Sequence, residues 1–184
     1  WRVPVFVLHT CRLDGSELRQ ISPNKEAENA PYVMPDGRVL YTRWEYVDRN
    51  HVAYHHLWTT NLDGTSQTVF FGNMHTIYGD INMPFLVMTD TRPIEDSSQV
   101  VSVFCHHMAP DRAGYITVID PKRGPDDPNR AKRICLEDIS RDPFPLGRSG
   151  FLVAQYDRLV VMNNGGQCDI VYRLPEASRQ RRLL

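Results

Sequence analysis

One hairpin is written into this chain four times. "VFVLHTCRLDGSELRQIS" (5–22) is a β-prone run, an Asp14-Gly15 turn and a second run. "HHLWTTNLDGTSQTVFF" (55–71) repeats it around Asp63-Gly64. "AGYITVIDPKRGPDDPNRAKRICL" (113–136) repeats it with a longer, more polar turn, and "DRLVVMNNGGQCDIVYRL" (157–174) is a fourth copy with Asn164-Gly165 at the turn. Asp-Gly between β-prone runs is a strong hairpin signal, because glycine takes positive φ at almost no cost. Aligning Arg12, Asn61, Asp120 and Asn163 gives spacings of 49, 59 and 43 residues. Those intervals bracket the period of about 40–50 residues expected for four-stranded propeller blades.

A blade needs two strands ahead of each hairpin, and the sequence supplies them. "APYVMPDGRVLYTRWEY" holds a strand near Pro31–Met34, a Pro35-Asp36-Gly37 turn and a strand at Arg38–Trp44. "PFLVMTDT" with "SQVVSVFC", and "DPFPLGRSGFLVAQ", fill the same places later. The runs are short, rich in Val, Ile, Tyr and Phe, and bounded by Gly, Pro, Asn and Asp. No helical periodicity is sustained over ten residues. The expected fold is all-β: a partial β-propeller of four-stranded antiparallel blades. Its parts are a half blade (1–22), blades at 30–73, 82–137 and 142–174, and a tail or linker at 175–184. Three and a half blades do not close a ring of four to eight, so a piece of a longer protein is expected. A β-sandwich is the competing fold, but it does not call for four copies of one hairpin.

Composition narrows the function classes. Net charge is −1, which argues against nucleic acid as the main partner. No apolar run approaches the roughly 20 residues of a membrane span. Cys11, Cys105, Cys135 and Cys168 form no CxxC and no CxxCH, so a c-type haem has no attachment point within these residues. Scattered cysteines of this kind are expected to be buried thiols, although an even number permits two disulfides. There is no GxSxG, P-loop, GxGxxG or HExxH element, and no Ser/His/Asp arrangement emerges.

"YTRWEYVDR", "YHHLW", "FFGNMH", "GYITVIDPKRGPDDP" and "RDPFPLGRSGFLVA" resemble TolB-like (WD40-like) propeller proteins carrying the hydrazine synthase alpha subunit middle domain. The likeness runs from about Leu8 to Leu174. It implies an exported or periplasmic multidomain bacterial protein in which this part is a non-catalytic scaffold or binding module. The alternative it implies is part of a periplasmic haem-containing redox enzyme, with c-type haem domains outside these residues.

In a propeller, the loops from strand two to three and from strand four to the next strand one share a face. His51, His55, His56, His75, His106 and His107 fall in or beside those loops, with Asp80 and Cys105. Imidazole and thiolate are zinc ligands, so these six histidines are the candidate metal ligands. The competing reading is that they cap loops and cover blade rims, leaving a face that binds adjoining domains or protein subunits. Arg43, Glu45, Asp48 and Arg49 read as an ion-pair network at the exit of a second strand. Asp126 and Asp127, in a polar turn-rich loop, are carboxylates of the kind calcium takes. Trp44, Trp58, Phe70, Phe71, Tyr115 and Phe151 are expected between blades.

Overall fold

A computed structural model describes residues 5–45, 54–72, 77–78, 81–82 and 86–175. The opening hairpin is β1 (His9–Thr10) with β2 (Arg19–Gln20). The first full blade is β3 (Glu28–Val33), β4 (Val39–Trp44), β5 (His55–Thr60) and β6 (Thr68–Phe71). A two-residue pair, β7 (Ile77–Tyr78) and β8 (Ile81–Asn82), follows. The second blade is β9 (Leu86–Pro93), β10 (Val100–His106), β11 (Tyr115–Ile119) and β12 (Ala131–Arg133). The third is β13 (Ser140–Pro145), β14 (Gly150–Gln155), β15 (Arg158–Asn163) and β16 (Cys168–Arg173). Each blade is an antiparallel meander, and one parallel bridge, His55 to Val87, joins the first blade to the second. The chain is a partial β-propeller. β3 begins at Glu28 and β13 at Ser140, two residues ahead of the limits of 30 and 142 expected from sequence.

The repeated turn has one geometry. Gly15 N donates to Arg12 O, Gly64 N to Asn61 O and Gly166 N to Asn163 O, each glycine at positive φ. In the third blade the left-handed residue is therefore Gly166, one place beyond the expected Asn164-Gly165. The Asn163 side chain explains the shift: its Oδ1 accepts from Gly165 N and Gln167 N and fixes the loop from its first residue.

Each blade's first strand carries a register shift beside a non-glycine residue at positive φ: Ala30, Asp90 and Asp142. Such bulges bend a strand and redirect the side chains that follow. Two residues on, Tyr32, Arg92 and Phe144 occupy equivalent places. The Arg92 guanidinium sits over both rings, 5.2 Å from the centroid of Tyr32 and 5.5 Å from that of Phe144.

The core is divided among seams between successive blades. Leu8, Ile21, Val39 and Tyr41 fill the first. Leu40, Leu57, Phe71, Leu86, Met88 and Phe104 fill the second. Val101, Val103, Ile116, Ile134, Phe151, Val160 and Met162 fill the third. Alternation along each strand feeds both seams: Leu40 faces one and Tyr41 the other. Phe71, Trp58 and Phe151 pack between blades as expected. The long 120–130 loop reaches back to the preceding blade, where Gly72 N donates to Pro125 O. Within that loop Asp127 accepts from Asn129 N and pairs with Arg130, so it caps its own turn.

Both ends of the blade series present apolar side chains to solvent: Phe6, Leu13 and Leu18 at one, Ile170, Val171 and Tyr172 at the other. Repeat arrays without polar capping units associate through such faces. The 184-residue chain alone is expected to self-associate, or to melt over a broad range. A monomer by light scattering with one sharp unfolding transition would contradict this.

Candidate functional site

β4 ends and β5 begins at the rim shared by the 2–3 and 4–1 loops. Period-two alternation sends His55 to the seam with the second blade and His56 to the opposite face, beside Trp58. His55 is buried, stacked on Trp44 with centroids 4.8 Å apart and planes 15° apart. Its Nε2 lies 2.9 Å from Nδ1 of His107, in the loop after β10. One of these nitrogens donates and the other accepts, so the pair shares a proton between two neutral rings. Burial pushes His55 down to about 3, helped by His107, Arg112 and His56. Burial, then Arg112, also lowers His107. Neither ring is charged at neutral pH.

Of the other expected ligands, His56 and His106 do not join them. His56 is buried edge-on to Tyr54 and closely packed against Gly72, where a Cβ would meet its ring carbons. His106 Nδ1 accepts from Met108 N and shapes its own turn. His51, His75 and Asp80 lie outside the described residues, as do Asp48 and Arg49 of the expected ion-pair network. Among the described residues, no three His, Cys, Asp or Glu side chains are placed to hold one metal ion. Zinc bonded at about 2.0–2.1 Å to two tetrahedral ligands separates them by roughly 3.3 Å. The His55–His107 nitrogens, at 2.9 Å, would need to open slightly to accept it.

The other face of the first blade carries a polar row. Cross-strand pairing aligns Glu28, Arg43 and His56. Glu28 is buried and accepts hydrogen bonds from Ser22 and, at 2.8 Å, from Asn24. Arg43 lies 4.2 Å from the Trp58 ring centroid and 3.7 Å from a Glu45 oxygen. The expected network at the strand exit is thus present in its Arg43–Glu45 part.

Sequence reasoning missed a third group, on the inner strands. Asp90 and Asp142 occupy the equivalent left-handed bulges of the second and third blades, near enough for their charges to interact. Burial raises the Asp90 carboxyl, Asp142 raises it further, and Arg92 and Arg141 oppose the shift. Arg141 also pairs with Asp111 at 3.2 Å, tying the 2–3 loop of the second blade to the third. The spacing Asp90-x-Arg92 and Asp142-x-Phe144 was visible, but no turn-residue rule marks a bulge inside a strand.

No protein-family model and no curated protein matches the chain. Among solved structures it is similar to the nidogen/laminin complex, at 14% identity and a TM-score of 0.58 over 95% of this chain and 57% of that one. It is also similar to Kuenenia stuttgartiensis hydrazine synthase, at 19% identity and a TM-score of 0.61 over 86% of this chain and 21% of that one. What they share with it is the propeller-like fold. The chain spans little more than half of one of these structures and about a fifth of the other. Propellers host many activities, so the fold alone assigns none.

Proposed function

We propose that this chain is a propeller scaffold of an exported, multidomain bacterial protein, with a TolB-like, WD40-like blade plan. In this reading it binds an adjoining domain or protein subunit on the rim bearing Trp44, His55 and His107. The observation that supports it is the aromatic–imidazole stack bridging two blades at that rim, with Met108 and Arg112 exposed beside it. A preorganised aromatic surface beside a flexible apolar side chain and a cation is the composition that interfaces favour.

The test compares hydrogen exchange in the longer natural protein with exchange in the 184-residue chain. Slower exchange across 105–113 in the longer protein is expected. Equal exchange there would sink the rim as a docking surface.

The second reading is part of a periplasmic haem-containing redox enzyme, and the likeness to hydrazine synthase favours it. It requires CxxCH motifs in the neighbouring sequence and a haem signal from the longer protein. Zinc is the ion the histidines would take, but the structural role is the one proposed for them. Purified protein is expected to carry negligible zinc, unchanged in a His55→Ala, His107→Ala double variant. Stoichiometric zinc lost on that double substitution would overturn the structural reading.

A further inference from the structure

Two cysteines border the seam between the second and third blades. Cys135 follows β12 and is buried with Ile134, Val160 and Met162. Cys168 opens β16, and its cross-strand partner is Met162, so it lies on the face turned toward the second blade. Both line one cleft of about 420 Å³. The backbones meet there: a Cβ on Gly166 would fall on the Ile134 carbonyl and lie 3.4 Å from the Cys135 Cα. The first seam is built alike, with Gly64 against the Ile21 carbonyl, but its corresponding positions hold Ser22 and Ser66.

The remaining thiols have no such counterpart. Cys11 is exposed just after β1, at the other end of the blade series. Cys105 is buried in β10, where burial pushes its thiol up to about 12. Cys11 and Cys168 are both exposed, so the expectation of buried thiols fails there: Cys11 lies between β1 and the hairpin turn, and Cys168 on the edge strand β16. An edge strand has no neighbour to cover it.

We propose that Cys135 and Cys168 are a disulfide-forming pair that locks the third blade to the second. Each thiol now donates to a backbone carbonyl near itself, Cys135 to Glu137 O at 3.6 Å and Cys168 to Gly166 O at 3.5 Å. These are weak bonds, and a side-chain rotation exchanges them for the partner sulfur. The oxidant is a small-molecule disulfide such as oxidised glutathione. The exposed Cys168 thiolate attacks it, expelling one glutathione thiolate and leaving a mixed disulfide. The Cys135 thiolate then displaces the second glutathione thiolate. One S–S bond breaks and one forms, two electrons pass to glutathione, and the two thiol protons end on the released glutathiones. Burial raises the Cys168 thiol, with Cys135 next among the causes, so the first step is faster in mildly alkaline buffer.

The test treats native protein with oxidised glutathione, alkylates the remaining thiols and digests with trypsin without reduction. A cross-linked species joining peptides 134–141 and 159–173 is expected, with Cys105 still alkylatable after unfolding. Thermal unfolding of the oxidised protein should shift upward by about 5–10 °C relative to the reduced protein. That shift should vanish in Cys168→Ser. Recovery of both peptides as alkylated or glutathionylated monomers would overturn the proposal. So would a cross-link that forms only in urea, or one that joins either cysteine to Cys11.

Discussion

Replacing Gly64 or Gly166 with alanine is expected to cost about 2–5 kcal/mol, against about 1–2 kcal/mol at Gly37. All three glycines are left-handed and close the same four-residue turn, so the backbone penalty is common to them. What differs is the surroundings. A Cβ at Gly37 meets nothing within 4 Å, whereas at Gly64 it falls on the Ile21 carbonyl and at Gly166 on the Ile134 carbonyl. Those oxygens belong to the preceding blade's outer edge, so relief requires two blades to part. Gly15, also open, is a second control. Urea midpoints of the four single variants separate the two contributions. Equal losses at all four would mean the seam yields freely, and the hairpin turns would not be inter-blade contacts.

Stability is expected to fall between about pH 6.5 and about pH 3 through His55, by up to about 1.4 kcal/mol per pH unit. His55 folded holds its proton only below about 3, whereas the unfolded residue takes one up near 6.5. In that window the unfolded state binds more protons, so acid favours unfolding. His55's contribution is complete above the unfolded value and is lost as pH falls. Asp14, Asp36 and Asp63 are held below their ordinary value by hydrogen bonds from Ser16, Arg38 and Thr65. Their stabilisation fades only below about pH 4. Asp90 is raised and works in the opposite sense, gaining stability on acidification. The useful comparison is therefore the protein against His55→Gln, by urea unfolding at about pH 7.5 and about pH 5. The variant should show a distinctly smaller loss. Parallel losses would place the acid sensitivity elsewhere.

The hairpins were legible because their cause is local. Asp14-Gly15, Asp63-Gly64 and Pro35-Asp36-Gly37 carry their turn in the residues themselves, and β-branched runs on either side do the rest. Alternation along "HHLWTTN" likewise placed Leu57 and Trp58 on opposite faces correctly. The same rule separates His55 from His56, yet the two stood together as candidate ligands because they share a loop. At the fourth hairpin the expected turn glycine fell one place early, since Asn163 organises the turn through its side chain and the left-handed residue is Gly166.

The sequence by itself determined the strand order, the blade period and the all-β class, because turn chemistry and period-two patterning act within a few residues. Only the tertiary structure decided which histidine meets which, why Gly64 and Gly166 differ from Gly15 and Gly37, and that Arg92 lies between Tyr32 and Phe144. It also decided that Cys135 and Cys168 border one cleft. Each of these depends on how one blade is set against the next. That placement is fixed by burial summed over whole seams, where apolar area counts and sequence separation does not.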